Sequence, residues 1–332
     1  MKIIVPMAGR GSRLRPHTLT VPKPLVPIAG KPIVQRLVED ITRVCGQKVD
    51  EIAFVIGDFG AEVEKDLVSI AEGLGAKGSI YHQDEALGTA HAILCAKDSL
   101  EGPVVVAFAD TLFRADFTLD ANKDGIIWVQ KVADPKAYGV IKMDENSVIT
   151  DFIEKPEVFV SDLAIIGIYF FKDGLNLRSE LQYLIDNDIK DKGEYQLTNA
   201  LENMKVKGAN FYPGKVEEWL DCGNPPAAIH ANKRVLEYTE NAEKRAGLSQ
   251  ENANIIEPCY IGSNVTLKNC TVGPHVSIGD ATSISNSTLK NTIIQNNTCI
   301  QNADLEDSMI GNNVDYAGGT KRVSIGDYSK IG

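Results

Sequence analysis

The stretch KIIVPMAGRGSRLRP, residues 2–16, decides the fold of the first part of this 332-residue chain. Its start, KIIV, contains three consecutive β-branched residues, which predicts a short buried strand over residues 2–5. A glycine-rich loop follows at once, and glycines let backbone N–H groups approach an anion closely. A buried strand that leads into such a loop indicates an α/β sheet with an anion-binding site where the strand ends.

Positive charge is concentrated in this first part of the chain. Seven cationic side chains precede the first carboxylate, Glu39, although the whole chain has 34 basic and 45 acidic residues and a net charge of −11. A second rigid stretch, VPKPLVP at residues 21–27, places Lys23 between two prolines that fix the backbone. Rigidly spaced cations predict a preformed cradle for a polyanion such as a nucleoside triphosphate. The seven cations are Lys2, Arg10, Arg13, Arg15, Lys23, Lys31 and Arg36.

Composition narrows the class of protein. Hydrophobic residues at 43% and charged residues at 24% are ordinary for a globular protein long enough for two domains. No apolar run reaches membrane-spanning length and the apolar segment at residues 1–6 is too short for a signal peptide, so we expect a cytoplasmic protein. The acidic total argues against binding to nucleic acid or to an anionic membrane. The six scattered cysteines form no CxxC pair, so neither a disulfide framework nor a zinc site is indicated.

Hydrophobic periodicity predicts a mixed sheet. Strands alternate with helices in the first hundred residues, which is typical of a parallel α/β sheet, whereas several later strands follow one another without long helices. We therefore expect a Rossmann-like, mainly parallel mixed sheet flanked by helices. The predicted strands are 2–5, 51–57, 79–82, 103–108, 126–131, 138–143, 148–154, 164–171 and 209–213; the predicted helices are 33–45, 62–74, 89–96, 177–187, 196–205 and 226–246.

After about residue 254 the composition changes to Asn, Thr, Ser, Gly and Ile. Val272, Ile278 and Ile284 are six residues apart, and this hexad spacing predicts a parallel β-helix with Gly and Asn at its tight corners. An antiparallel sandwich with Asn-rich turns is the alternative. Aliphatic-Gly pairs mark the repeat: Ile261-Gly262, Val272-Gly273, Ile278-Gly279, Ile310-Gly311 and Ile325-Gly326.

Two aspartates are candidate metal ligands. Asp110 ends the apolar run VVVAFA, at the carboxyl end of a predicted central strand, where ligands of open α/β sheets bind. A carboxylate there can hold Mg²⁺ that bridges phosphates, or it can simply cap a helix. Asp221, in the sequence WLDCG, could complete a metal site or belong to an ordinary turn.

Two further clusters could bind neutral and anionic parts of a ligand. Gln83 precedes the sequence LGTA at residues 87–90; an amide can read a base edge, and Gly88 would let the base approach the backbone. The pair Glu154-Lys155 follows an apolar strand, where Glu154 could accept hydrogen bonds from hydroxyl groups and Lys155 could bind a phosphate. An exposed ion pair is the other interpretation of that pair.

Taken in order, these motifs resemble those of the sugar-1-phosphate nucleotidyltransferases, the nucleotide-sugar pyrophosphorylases. The signature GxGSR at residues 9–13, followed by Pro16, Pro22-Lys23-Pro24 and Pro27, carries most of the resemblance, which covers residues 1–235. Residues 255–332 look like the left-handed hexapeptide-repeat β-helix of many members. Within the family the chain most resembles the long glucose-1-phosphate thymidylyltransferases. The implied domains are a catalytic domain at 1–235, a helical linker at 236–254 and the β-helix at 255–332.

The resemblance also implies roles for individual residues. Arg13, Lys23 and Asp110 would be catalytic, and Mg²⁺ would be held by Asp110 and Asp221. One departure concerns Ala8-Gly9, which replaces the Gly-Gly pair common in thymidylyltransferases and leaves the base preference open. The implied nucleotide-binding residues are Ala8, Gly9, Gly11, Ser12, Arg13, Lys23, Gln83, Gly88, Thr89 and Asp110; Gly139, Glu154 and Lys155 would bind the sugar phosphate.

The reaction implied by the resemblance is attack of a sugar 1-phosphate oxygen on the α-phosphorus of a nucleoside triphosphate, most simply dTTP with glucose 1-phosphate, with loss of pyrophosphate. UTP or GTP could replace dTTP. Acyl transfer by the β-helix, or regulatory binding of a nucleotide sugar without catalysis, are alternatives of a different class. We also expect a homo-oligomer, because the edge of a β-helix leaves backbone groups that need cover.

Overall fold

The computed structural model describes residues 1–9, 11–115, 119–239 and 246–331, apart from the side chains of Thr320 and Lys321. One of the seven N-terminal cations, Arg10, and the end of the predicted helix at 240–245 lie outside the described residues. The chain divides into two units, Met1–Gly9 with Leu37–Trp219 and Arg10–Arg36 with Leu220–Gly332. The sheet belongs to the first unit and the β-helix to the second.

The first unit contains a nine-stranded mixed sheet in the order β10-β9-β11-β6-β1-β4-β5, with β8 beside β11 and β12 beside β8. β1, β4, β5 and β6 are parallel, whereas β11 is antiparallel to both β6 and β8. The predicted mixed sheet is confirmed. Two separate pairs, β2 with β3 and β7 with β13, lie outside this sheet. The strands before the β-helix are β1 Lys2–Pro6, β2 Pro27–Ile28, β3 Lys31–Pro32, β4 Glu51–Ile56, β5 Lys77–His82, β6 Val104–Ala107, β7 Thr111–Arg114, β8 Gly125–Lys131, β9 Val140–Met143, β10 Ile149–Ile153, β11 Leu163–Phe171, β12 Phe211–Lys215 and β13 Glu218–Asp221.

The described residues contain six α-helices. The sheet core is built from the β-branched and aromatic residues of its central strands, including Ile4, Val106 and Phe171, which are fully buried. α6 begins one residue before its predicted start, where the side chain of Asn224 accepts a hydrogen bond from Ala227 N–H, and it ends at Tyr238, before the predicted 246. The helices are α1 Ile33–Cys45, α2 Ala61–Gly73, α3 Thr89–Cys95, α4 Gly174–Asp186, α5 Leu197–Val206 and α6 Pro225–Tyr238.

Residues 249–331 form a parallel β-helix with three faces, each a sheet of five or six short strands. Ser249 pairs with Thr266 and Thr266 with Ser283, a step of 17 residues, which shortens to 16 between Ser283 and Cys299. Its strands are β14 Ser249–Glu251, β15 Asn254–Ile255, β16 Cys259–Ile261, β17 Thr266–Lys268, β18 Thr271–Val272, β19 Val276–Ile278, β20 Ser283–Ser285, β21 Thr288–Lys290, β22 Ile293–Ile294, β23 Cys299–Gln301, β24 Asp304–Glu306, β25 Met309–Ile310, β26 Asp315–Ala317, β27 Thr320–Lys321, β28 Ser324–Ile325 and β29 Lys330–Ile331.

The predicted β-helix is confirmed, and its corners use the predicted residue types. Asn269, Asn286 and Asn302 have positive φ angles, which asparagine tolerates better than most residues. Their side chains form a ladder in which each Nδ2 donates to the Oδ1 of the next, at 3.3 Å for each of the two steps. A step shorter than three hexads explains why the sequence repeat loses register.

The predicted helix at 33–45 is confirmed as α1, and a three-residue 3-10 turn, Ser12–Leu14, follows the glycine-rich loop. A predicted boundary differs from the structure. The first β-helix strand, β14, lies inside the segment predicted as a helical linker, because it pairs in parallel with β17. The domain boundaries as a whole stay a prediction.

Candidate active site

The glycine-rich loop of the sequence folds onto the proline-flanked lysine. Gly11 has φ 62° and ψ 39°, a left-handed conformation that glycine adopts without strain. Its carbonyl oxygen accepts a hydrogen bond from Thr18 Oγ1 at 2.8 Å. Ser12 and Arg13, on the 3-10 turn that follows, are exposed. Arg13 is therefore available to a ligand from solvent.

Lys23 is held rigidly beside this loop. It begins a second 3-10 turn, Lys23–Leu25, in which Pro24 occupies an early position, and only 7% of the residue is exposed. A Cβ added to Gly11 would lie 2.6 Å from Cβ of Lys23, so the two residues are packed as closely as a glycine allows. Only glycine at position 11 permits this placement of the lysine.

Ala8 and Gly9 follow β1 in the first unit. Met7 N–H still donates to Val55 O at 2.8 Å, which fixes the end of the strand. Gly9 is exposed, and a Cβ added to it would have no neighbour within 4 Å among the described residues. The protein itself gives no steric reason for a glycine there, so its predicted role depends on a ligand approaching the backbone.

Gln83 lies immediately after β5 and its side chain is fixed by its neighbours. Its backbone N–H donates to Ile56 O at 2.8 Å, while Nε2 lies 3.1 Å from Nδ1 of His91 and 3.3 Å from Gly88 O. The Nε2 contacts orient the amide, whose Oε1 is the atom that can accept from the N–H of a pyrimidine base. The predicted grouping of Gln83 with Gly88 is present.

Residues 195–197 pack against the segment that contains Gly88 and Thr89. A Cβ on Gly88, whose φ is 118°, would lie 2.5 Å from Tyr195 O, so glycine is required. Thr89 Oγ1 donates to Gln196 Oε1 at 3.2 Å and accepts from Leu197 N–H at 2.9 Å. Residues 195–197 therefore set the position of Gly88, which contacts Gln83, and of Thr89. Neither His91 nor Gln196 has a sequence signal that marks it as part of this site.

Asp110 lies between β6 and β7, at the end of a central strand as predicted, and is partly buried. The loop is fixed by Phe108 N–H, which donates to Gly167 O, and by Thr111 Oγ1, which donates to Ile166 O, both at 2.9 Å. Burial raises the pKa of the nearby Tyr169 hydroxyl, and the charges of Glu154 and Asp110 raise it further. Tyr169 thus stays protonated beside two carboxylates.

Gly139, Glu154 and Lys155 form one cluster. A Cβ added to Gly139 would lie 3.1 Å from Glu154 Oε2, and Lys155 N–H donates to Tyr138 O at 3.1 Å. Lys155 Nζ lies 3.5 Å from Glu154 Oε1, and the lysine side chain is 50% exposed. An ion pair this exposed contributes little to stability, so the lysine is free to reorient toward an anionic ligand.

Asp221, at the end of β13, accepts a hydrogen bond from Gly223 N–H at 2.8 Å in a tight turn. The part of the chain that the structure describes contains no group of three or more His, Cys, Asp or Glu that could hold a metal. Mg²⁺ does not need one, because it is usually bound by one or two carboxylates together with substrate phosphates. The carboxylate of Asp110 and that of Asp221 are each the type of donor that fits such an ion.

A model of the nucleotidyl transferase family matches residues 2–238, which is more than half of the chain. The chain belongs to the nucleotidyl transferase family. This match confirms the predicted family. Among the described residues, no helix is long and apolar enough to cross a membrane.

Two relatives and one solved structure illustrate the similarity. A glucose-1-phosphate thymidylyltransferase of Streptomyces antibioticus is 28% identical over 365 aligned positions, covering 100% of this chain and 99% of its own. The low-salt glycan biosynthesis nucleotidyltransferase Agl11 of Haloferax volcanii is 30% identical, covering 77% and 71%. A UDP-glucose pyrophosphorylase solved with UDP-glucose is 27% identical with a TM-score of 0.59, covering 72% of this chain and 99% of its own.

Proposed function

We propose that this nucleotidyl transferase joins a nucleoside triphosphate to a sugar 1-phosphate, most simply dTTP to glucose 1-phosphate, and releases pyrophosphate. The relative from Streptomyces antibioticus, aligned over the full chain, supports this substrate pair. The observation that carries the proposal is the packing of buried Lys23 against Gly11, which fixes a cation beside a glycine-rich loop. Arg13 and Lys23 would neutralise the phosphates of the triphosphate.

The sugar 1-phosphate supplies its own nucleophile, so the protein has only to align two anions and offset their repulsion. Lys155 would hold the phosphate of the sugar, while Gly139 and Glu154 would contact its ring. Asp110 and Asp221 would hold Mg²⁺, which when bound neutralises phosphate charge. Ala8, Gly9, Gly11 and Ser12 would line the phosphates of the nucleotide.

The base would be a pyrimidine held by Gln83, Gly88 and Thr89. The amide of Gln83 is oriented by His91 Nδ1 and Gly88 O, which favours one fixed hydrogen-bonding pattern toward the base. That pattern does not distinguish thymine from uracil, and a solved relative is a UDP-glucose pyrophosphorylase. UTP is therefore the second candidate nucleotide.

Product analysis tests the proposal. The protein is incubated with Mg²⁺, glucose 1-phosphate and one of dTTP, UTP, CTP, ATP or GTP, and the nucleotide sugar is separated by anion exchange. We expect dTDP-glucose to form fastest, UDP-glucose second, and chelation of Mg²⁺ by EDTA to stop both. A purine nucleotide sugar as the main product would overturn the role of Gln83, and no nucleotide sugar with any pair would overturn the function.

We also expect a homo-oligomer, which light scattering at micromolar concentration checks.

A further inference from the structure

The segment that carries Gly11 and Lys23 is fixed at two places within its own unit. We define the signature loop as residues 11–32, which precede α1. One fixed point lies at Pro16–Thr20 and the other at Ile28–Gly30, so Lys23 lies between them. The contacts at both points come from α6 and the β-helix, elements outside the nucleotide-binding sheet.

The first fixed point is the last coil of the β-helix. Buried His17 is hydrogen bonded through Nε2 to Ser324 Oγ at 3.0 Å, and the Thr20 hydroxyl donates to the carboxylate of Asp327. A Cβ added to Gly326 would lie 2.8 Å from Cβ of Pro16, so the loop backbone rests directly on this coil. Three neighbouring contacts therefore hold residues 16–20.

The second fixed point is a tight hairpin held by α6. Ala29 and Gly30, at the turn between β2 and β3, have φ angles of 46° and 82°. Ala29 N–H donates to Oδ1 of Asn232 at 2.9 Å, and the same oxygen accepts from Ser277 Oγ at 2.7 Å. Asn232 is completely buried, so losing its oxygen would leave two donors without a partner.

Two further residues complete this fixed point. The ring of Tyr260 covers Gly30, since a Cβ there would lie 2.2 Å from it. Arg36 donates through Nε to Ile28 O and through a terminal nitrogen to Ala29 O, both at 2.6 Å. The hairpin is thus held at the N–H of Ala29, at the carbonyl groups of Ile28 and Ala29, and by the ring that covers Gly30.

Between the two points one side of the loop faces a cavity. A cavity of about 330 Å³ separates Val21 and Leu25 from the β-helix wall at Ile294 and Gln295. Packing density is what usually fixes a loop, and a cavity removes that constraint. On the side of the cavity, the position of the 21–25 segment therefore depends on the contacts at its two ends, while its other side is packed where Lys23 meets Gly11.

We propose that α6 and the β-helix act as the template that positions Lys23 for catalysis, with Asn232 and Thr20 as positioning residues. Each residue fixes one end of the loop that carries the lysine, Asn232 through Ala29 and Thr20 through Asp327. The inference rests on the proposed function for its kinetic readout, because misplacing a charge by about 1 Å can cost on the order of 10²-fold in rate.

The test compares Asn232→Leu, Asn232→Asp and Ser277→Ala. Leucine removes the oxygen that fixes Ala29, aspartate keeps it, and Ser277→Ala removes only the other hydrogen bond of the same oxygen. We expect Asn232→Leu to lower kcat about 10–100-fold at temperatures well below its Tm. Aspartate should restore most of that loss, and Ser277→Ala should lower Tm while leaving kcat near the wild-type value.

Hydrogen exchange of the amides at 17–32 gives a readout that does not depend on activity. Asn232→Leu should speed exchange there, and Ser277→Ala should not. Thr20→Val, at an exposed position where misfolding is not expected, should speed the same exchange and lower kcat less. Wild-type kcat in both Asn232→Leu and Thr20→Val, or equal losses in Ser277→Ala and Asn232→Leu, would overturn the inference. A wild-type protein without turnover would refute the proposed function instead, and exchange alone would then decide whether these residues fix the loop.

Discussion

Gly11 and Lys23 are in direct contact: a Cβ added to the glycine would lie 2.6 Å from Cβ of the lysine, and the glycine has φ 62°. The 3-10 turn that begins at Lys23 keeps the lysine in place through the backbone hydrogen bond from Val26 N–H to Lys23 O at 3.0 Å. Because Gly11 and Lys23 are packed together, substitutions at either residue should affect the same step of the reaction.

Replacing Lys23 with alanine should lower kcat by about 10²–10³-fold, since one fixed electrostatic stabiliser would be lost. Steady-state pyrophosphate release measures the effect. Lys31→Ala is the matched control, because Lys31 is an exposed lysine of the same loop. A Lys23→Ala protein that turns over at the rate of the control would remove Lys23 from the mechanism.

Gly11→Ala and Gly9→Ala should differ in kind. Alanine at position 11 would clash with Lys23 and would have to adopt a positive φ angle. Both Tm and kcat should therefore fall, and the loss of Tm should be seen even without ligand. Alanine at position 9 has open space in the protein, so Tm should stay unchanged while KM for the triphosphate rises. Calorimetry and initial rates check this, and an unchanged KM for Gly9→Ala would show that no ligand approaches that backbone.

Lys155→Ala should chiefly weaken binding of the sugar phosphate. The side chain is half exposed and its ion pair with Glu154 is loose at 3.5 Å, so Tm should hardly change. KM for glucose 1-phosphate should rise by at least tenfold, as expected for loss of a charge-assisted contact, while KM for dTTP should not. Lys97→Ala, an exposed lysine on the same unit, controls for loss of charge. Equal KM values for Lys155→Ala and the control would exclude the assigned contact.

His17 should make stability depend on pH. Burial lowers its pKa from 6.5 to about 4, although the nearby charge of Asp327 opposes that shift. Between those values the unfolded chain binds a proton that the native protein does not, so the free energy of unfolding should fall by up to about 3 kcal/mol as pH drops from 6.5 to 4. Above pH 6.5 His17 should contribute no pH dependence.

Urea titrations at several pH values check this, with the wild type compared against His17→Gln. The difference between the two proteins should shrink as pH falls through this window, whereas exposed His230→Gln should follow the wild type. Parallel curves for the wild type and His17→Gln would mean that His17 is not kept neutral by burial.

The sequence predicts elements and motifs well where the signal is local. The apolar strand before Asp110 and the Ile-Gly pairs of the β-helix identify both folds, and Gln83, Gly88 and Thr89 are close enough in sequence to be grouped. The hexad register failed because the coils take 17, 16 or 15 residues, so a fixed period cannot follow them.

Long-range partners could not be found from the sequence. Gln196 supports Thr89 from 107 residues away, and Asn232 fixes Ala29 from 203 residues away. A lone amide in a helix has no pattern that distinguishes a buried bridging residue from a solvated one. The segment between the glycine-rich loop and α1 contains Pro16, Pro22 and Pro24, which interrupt helix formation, and it folds there into short 3-10 turns.

Pyrophosphate release tests the central claim most directly, measured with dTTP alone, glucose 1-phosphate alone and both together in the presence of Mg²⁺. We expect release only when both substrates are present, at a rate that Lys23→Ala lowers by about 10²–10³-fold. No release with the pair, or equal release from the triphosphate without sugar phosphate, would contradict the account.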